Sequence, residues 1–240
     1  MLMSTNDIPQ STLNRYKKVS TPTVYTKLME LGYESVFMEG VHPINNERPL
    51  AARARTLRFL PSRPDLRARV TIGENSPEYK AMALCGPGDV LVVDTGGMPY
   101  ASIGGDIKFM QLQMQGAEGI VTDGAVRDVE GLTSYGLLVY ARSRTPKAGP
   151  VDILPYEGNV AVQCGGALVL PGDVIVGDDA GIVVVPASVV EEVIGKAEEH
   201  EQVELFIKER VKKERCAPGR YYPVTEDTLK LYRDSIDKAD

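Results

Sequence analysis

Apolar positions recur along the chain in several rhythms, and each rhythm predicts a different element. In STPTVYTKLMELG (20–32), Val24, Leu28 and Leu31 fall three and four apart, the spacing of one helical face. Ser20 or Thr21 can cap the start, Pro22 suits the first turn and Gly32 supplies a stop, so residues 8–32 read as one or two helices. ARARTLRFLP (52–61) alternates apolar and polar residues, which predicts a half-exposed strand. Residues 62–80 read as loop, with a short helix expected at SPEYKAMAL. CGPGDVLVVDTGG (85–97) and LPGDVIVGDDAG (170–181) share a Pro-Gly turn, an aspartate and a valine-rich run. Both predict a turn feeding a strand, and two similar turn-strand units in one sheet explain the likeness better than a duplication.

Between these units lies ASIGGDIKFMQLQMQGAEGIVTDGAVRD (101–128). Ile107, Met110, Met114 and Ala117 define one face of a helix starting just after Gly104 and Gly105, and GIVTDG follows as a buried strand. Strand, helix and strand in this order predict a right-handed parallel crossover. A helix of about 12 residues runs roughly 18 Å one way and the next strand roughly 18 Å back. Asp106 and the Arg127-Asp128 pair should therefore meet at the carboxyl edge of the parallel pair, where open α/β sheets bind ligands. Beyond 187 the spacing of Val189, Val193, Val203 and Phe206 predicts a long helix, broken by CAPGRYYP, with a final helix beginning near Thr225. No stretch is rich enough in Gly, Pro or Ser to act as a linker. The reading is a single α/β domain over 1–240, with a parallel βαβ core, N-terminal helices within 1–35 and a C-terminal helical arm over 187–240.

Composition narrows the function more by exclusion than by assertion. Of the 240 residues 43% are apolar and 25% charged, as in ordinary globular proteins, and no apolar run approaches the ~20 residues of a membrane helix. The N-terminus shows no basic stretch followed by an apolar one, so a cytoplasmic protein is expected. Cys85, Cys164 and Cys216 are far apart, without CxxC spacing or partner histidines, and read as reduced structural thiols. A formal charge of −6 argues against nucleic acid as a partner, and RVKKER (210–215) reads as a solvated helix face. His42 and His200 have no motif around them, which gives Ser-His or Cys-His catalysis little support.

The crossover is where chemistry concentrates. Backbone N–H groups from Gly104 to Ile107, at a helix N-terminus, can hold a carboxylate. Arg127 offers a planar fork to further oxygens, and Asp128 is a hard donor suited to Mg²⁺ or Mn²⁺. A surface Arg-Asp ion pair and a plain Gly-Gly turn remain the alternative. Asp94, Asp178 and Asp179, at other strand ends, read as turn residues.

GGDIKFMQLQMQGAEGIVTDGAVRD, with twenty residues between Asp106 and the Arg127-Asp128 pair, resembles the signature of the RraA-like proteins and the class II 4-hydroxy-4-methyl-2-oxoglutarate aldolases. GPGDVLVVD and CGGALVLPGDVIVGDDAGIVVVP resemble the same family. The resemblance spans about 20–223 and implies a layered β/β/α sandwich of the swivelling-domain type, assembled as a trimer or hexamer with sites between subunits. It implies a lyase that cleaves a 4-hydroxy-2-oxo acid to pyruvate and a second carbonyl compound, with oxaloacetate decarboxylation beside it and Mg²⁺ or Mn²⁺ as cofactor. Asp128 would hold the metal, Arg127 would bind substrate and stabilise oxyanion charge, and Asp106 would orient a water for proton transfer. Gly104, Gly105 and the following amides would receive the pyruvyl carboxylate. RraA itself is an inhibitor of a ribonuclease, so a non-catalytic regulator binding a protein partner is the alternative; hydration or dehydration of a sugar-acid derivative is another. Lys108 stands where the aldolases lead one to expect an apolar residue. It is expected either to reach a distal group of the substrate or to point outward into solvent. Glu201 and Glu204 are candidate contributions across a subunit interface.

Overall fold

The computed structural model describes residues 8–45, 48–149 and 151–236. Residues 1–7, on which part of the leader reading rests, and 237–240, the end of the expected arm, lie outside them. In chain order the elements are α1 (Gln10–Tyr16), α2 (Thr21–Glu30), β1 (His42–Pro43), β2 (Leu50–Pro61), α3 (Pro64–Arg67), α4 (Pro77–Ala83) and β3 (Asp89–Asp94). There follow α5 (Asp106–Met114), β4 (Gly119–Val126), α6 (Val129–Ser134), β5 (Leu138–Arg144), β6 (Ile153–Gly158), β7 (Val162–Cys164) and β8 (Ala167–Val169). The last are β9 (Val174–Asp178), β10 (Gly181–Val185), α7 (Val190–Glu214) and α8 (Glu226–Ile236).

Eight strands form one mixed sheet in the order β1-β5-β4-β3-β2-β9-β10, with β6 also pairing with β2. The pairs β2-β3, β3-β4 and β4-β5 are parallel, while β9 and β10 join antiparallel. Residue alternation along β2 separates the two faces. Leu50, Ala52 and Ala54 join Val90, Val92 and Val121 under Val162, Cys164, Ala167 and Val169 of the β7-β8 hairpin. On the other face Leu57, Leu91, Val93 and Ile120 pack against Met82 of α4, Phe109 and Leu112 of α5 and Leu132 of α6. At the β9-β10 end the same face receives Leu13, Val24, Leu28 and Val193 from α1, α2 and α7. Hairpin, sheet and helices make the three layers of a β/β/α sandwich. The start of α2 follows its sequence signals, since the Ser20 hydroxyl accepts from the Thr23 N–H at 3.3 Å.

Two expectations are corrected here. Strand β2 is not half-exposed: it is covered on both faces along most of its length. Its alternating arginines, Arg53 and Arg55, lie inside, with their Nε atoms 2.8 and 3.1 Å from the Asp89 carboxylate. A buried charge is tolerated where a partner neutralises it. Helix α5 buries Phe109 and Leu112, whereas Ile107 and Met114 are 82% and 71% exposed. The helix carries two apolar stripes of helical spacing, and periodicity alone does not say which one meets the sheet.

Candidate active site at the β3-α5-β4 crossover

Asp123, fully buried in β4, organises the approach to the site. Its carboxylate accepts the Thr95 N–H and hydroxyl, both at 2.8 Å, the Gly97 N–H at 3.0 Å and the Gln163 amide at 2.8 Å. The turn leaving β3 is thereby fixed to β4. Sequence reading passed over Asp123; the signal was an acid inside a valine-rich buried strand, where it must be hydrogen-bonded. Asp94 is a turn residue as expected, accepting the Gly96 N–H at 2.7 Å.

From Ala101 the chain runs beside the end of β4. The Ala125 N–H donates to Ala101 O (2.9 Å), Ile103 N–H to Ala125 O (3.0 Å) and Arg127 N–H to Gly104 O (3.1 Å). This short ladder places Gly104, Gly105 and Asp106 against Arg127 and Asp128. Strand β4 itself runs past the expected stop at Gly124 to Val126. Gly104 has φ +145°, a region open essentially to glycine. Gly105 is required for another reason, because a Cβ there would overlap Asp128 Oδ2 and lie 2.8 Å from Arg127 Cγ. Asp106 packs against Gly131 of α6, whose Cβ would lie 2.9 Å from Asp106 Oδ2.

Gly104, Gly105, Asp106, Ile107, Lys108, Arg127 and Asp128, all the site residues expected from sequence, line one cleft of ≈ 230 Å³. Ala148 and Gly149 also line it; nothing in their loop sequence marked them. Asp128 adopts the left-handed conformation at φ 53° and caps no amide with its side chain. One of its oxygens accepts Arg127 Nε at 2.8 Å, both side chains being about one-third exposed. Among the described residues the terminal nitrogens of Arg127 have no hydrogen-bond partner. The Ile107 N–H is taken by Asp106 Oδ1 at 2.7 Å, so among the described residues the Gly105, Asp106 and Lys108 amides are the first-turn donors without an acceptor.

Lys108 does not point outward. Its Nζ donates to Glu78 Oε2 at 2.7 Å and to the Ile103 carbonyl at 2.9 Å. Glu201 is used within its own chain, accepting from the Ser20 N–H and hydroxyl and the Thr23 hydroxyl at 2.8–3.1 Å. Glu204 pairs with Lys208 and His200. Burial, with Asp89 nearby, pushes the Cys85 thiol up to about 12, and burial holds Cys164 well above the usual thiol range. Neither thiol is a competent nucleophile.

Gly105→Ala tests the packing directly. Its methyl would displace the Asp128 carboxylate, so any divalent-ion affinity that rests on Asp128 is expected to fall about 10- to 100-fold, the size of effect seen when a ligand's support is lost, with an unchanged circular dichroism spectrum. Unaltered Mn²⁺ binding would show that Asp128 does not depend on that glycine.

The model of the RraA-like family, described as Aldolase/RraA, matches residues 21–184. The chain belongs to the RraA-like family. Among RraA-like relatives, a Halalkalibacterium halodurans protein named "Putative 4-hydroxy-4-methyl-2-oxoglutarate aldolase" is 33% identical over 161 residues, 65% of this chain and 69% of that one. The crystal structure of Streptomyces coelicolor RraAS2, described as an unusual member of the RNase ES inhibitor RraA protein family, is 33% identical. It superposes with a TM-score of 0.76 over 84% of this chain and 98% of its own. An uncharacterized Pseudomonas syringae protein, 22% identical, shares the fold with a TM-score of 0.77 over 92% of this chain and 96% of its own. The RraA-like match ends just before β10 does, so α7 and α8 lie beyond it.

Proposed function

We propose that this RraA-like chain is a divalent-metal-dependent lyase that cleaves a 4-hydroxy-2-oxo acid to pyruvate and a second carbonyl compound, with oxaloacetate decarboxylation as a related activity. The observation that carries this reading is the meeting of Asp106, Arg127, Asp128 and the Gly104-Gly105 turn in one cleft. The aldolase name of the Halalkalibacterium halodurans relative supports it.

The donor set fits a hard divalent ion in its sparsest mode of binding. Asp128 keeps one oxygen clear of Arg127, and Mg²⁺ or Mn²⁺ commonly takes one or two carboxylates with water and substrate in the other positions. No cluster of three or more His, Cys, Asp or Glu residues able to hold a metal occurs among the described residues, so a structural zinc site is a poorer match. When bound, the ion supplies a Lewis acid at the 2-oxo group. The Gly105 and Asp106 amides receive the adjacent carboxylate at the positive end of α5. The Arg127 fork holds substrate oxygen and balances enolate charge as it develops. Asp106 Oδ2, free of partners among the described residues, orients a water that takes the 4-hydroxyl proton and later returns one to the enolate carbon.

Ile107, which lines the cleft, and Met114, at the far end of the same helix, are 82% and 71% exposed. A second copy of the chain covering this outward face of α5 fits the homo-oligomer implied by the resemblance, as trimer or hexamer. No helix among the described residues is long and apolar enough to cross a membrane.

The test is pyruvate release, read by coupled lactate dehydrogenase, from 4-hydroxy-4-methyl-2-oxoglutarate and from oxaloacetate, with Mg²⁺, Mn²⁺ or EDTA. Metal-dependent turnover abolished by EDTA is expected. Absence of turnover with either ion would overturn the assignment and favour the second reading, a protein regulator, which is supported by the likeness to Streptomyces coelicolor RraAS2 of the RNase ES inhibitor RraA protein family.

A further inference from the structure

Lys108 lines the cleft, yet its ammonium is spent on the protein. Its stem crosses Gly104 so closely that a Cβ on that glycine would lie 2.8 Å from Lys108 Cδ and 3.2 Å from Cε. Its head then bonds back to the Ile103 carbonyl at 2.9 Å, one residue before the glycine pair. The lysine thus straps down the turn whose amides face the cleft. Ile103 is held from both sides, its N–H on Ala125 O and its carbonyl by Lys108. The strap needs a counter-charge because the Lys108 side chain is only 22% exposed. Glu78 of α4, itself 14% exposed, supplies it at 2.7 Å.

We infer that Lys108 and Glu78 form a positioning pair: the ammonium, neutralised by Glu78, fixes the Ile103-Gly104-Gly105 backbone in the conformation that receives a substrate carboxylate. This rests on the proposed function for its ligand but not for its geometry. The role is distinct from both sequence expectations for Lys108, since it rests on the head's bonds to Glu78 and to the Ile103 carbonyl. It also adds a residue, Glu78, that lies thirty positions upstream in a different helix. Gly104 at φ +145° is a conformation with a wide choice of alternatives for glycine, so the turn needs an external restraint to stay pre-organised.

The experiment uses the full chain with Lys108→Met, which keeps the stem and removes the head, Glu78→Gln, and the double variant. Amide hydrogen exchange over 103–107 is measured without ligand. Calorimetry measures binding of oxalate, an analogue of the pyruvate enolate, to the Mn²⁺-loaded protein, and Mn²⁺ affinity is measured separately. Both single variants are expected to exchange several-fold faster at 103–107 and to bind oxalate about tenfold more weakly, with Mn²⁺ affinity unchanged. The double variant should be no worse than the single ones, as for two residues acting through one contact. Unchanged exchange at 103–107, or losses that simply add, would overturn the pair. A general structural role would instead weaken Mn²⁺ and oxalate binding together, and that too overturns it. Should Lys108→Met not fold, Glu78→Gln carries the same comparison. Wild-type protein that binds neither Mn²⁺ nor oxalate would count against the lyase reading, while the exchange data would still decide the pair.

Discussion

Asp128→Asn is expected to lower metal-dependent pyruvate release by about 10²- to 10³-fold or more, the scale associated with losing a key electrostatic group, while leaving the melting temperature nearly unchanged. Asparagine is the informative replacement because the backbone here is left-handed at φ 53°, and asparagine adopts that conformation more readily than alanine does. The side chain caps no helix amide. Its one hydrogen bond among the described residues is a partly exposed pair with Arg127, of a kind that contributes at most about 1 kcal/mol. Folding therefore has little to lose, whereas the metal-binding role proposed for this carboxylate depends on its charge. Steady-state kinetics in Mg²⁺ and Mn²⁺, with Mn²⁺ binding followed by electron paramagnetic resonance, decide the matter. Turnover within threefold of wild type would remove Asp128 as the metal ligand.

The proposed division of roles puts substrate on Arg127 and metal on Asp128. The terminal nitrogens of Arg127 have no partner among the described residues, so their donors are available to a ligand. A metal-binding defect and a substrate-binding defect should consequently fall on adjacent residues, Asp128 and Arg127, although Nε and Oδ2 are paired at 2.8 Å.

The crossover was legible because its signals are local and redundant. Twenty residues between Asp106 and Arg127, a glycine pair before a helix, and a buried strand after it leave few ways to return the chain to the same edge. The cleft was readable for the same reason. What could not be read depends on which neighbour a residue meets. The pattern Ile107, Met110, Met114 is a sound helical stripe, but Phe109 and Leu112 make a second one, and contact with the sheet selected the latter. Asp123 has its donors in Thr95, Gly97 and Gln163, and Lys108 its partner in Glu78; both sets of partners lie far away in sequence. Arginines spaced two apart in β2 imitate a solvated strand face unless the position of Asp89 beside them is known.

That aspartate supports the second large prediction. Asp89→Ala is expected to destabilise the fold by about 3–5 kcal/mol, the cost of removing one partner from a buried ion cluster. The Asp89 side chain is 4% exposed, and those of Arg53 and Arg55 are 12% and 9% exposed. Its carboxylate also accepts the Gly86 N–H at 3.1 Å, closing the Pro-Gly turn. The matching turn before β9 provides the control. Asp173 is likewise buried and accepts the Leu170 and Ala187 N–H groups at 2.8 and 3.0 Å. Among the described residues no arginine or lysine forms a salt bridge with it, and burial pushes its carboxyl above the usual range. Asp173→Ala thus loses hydrogen bonds alone, about 1–3 kcal/mol. Urea denaturation of the two variants should separate them by roughly 2 kcal/mol, with Asp89→Ala the weaker protein. Equal losses would mean that the turn's hydrogen bonds, and not the neutralisation of two inward arginines, are what β2 requires of its neighbour.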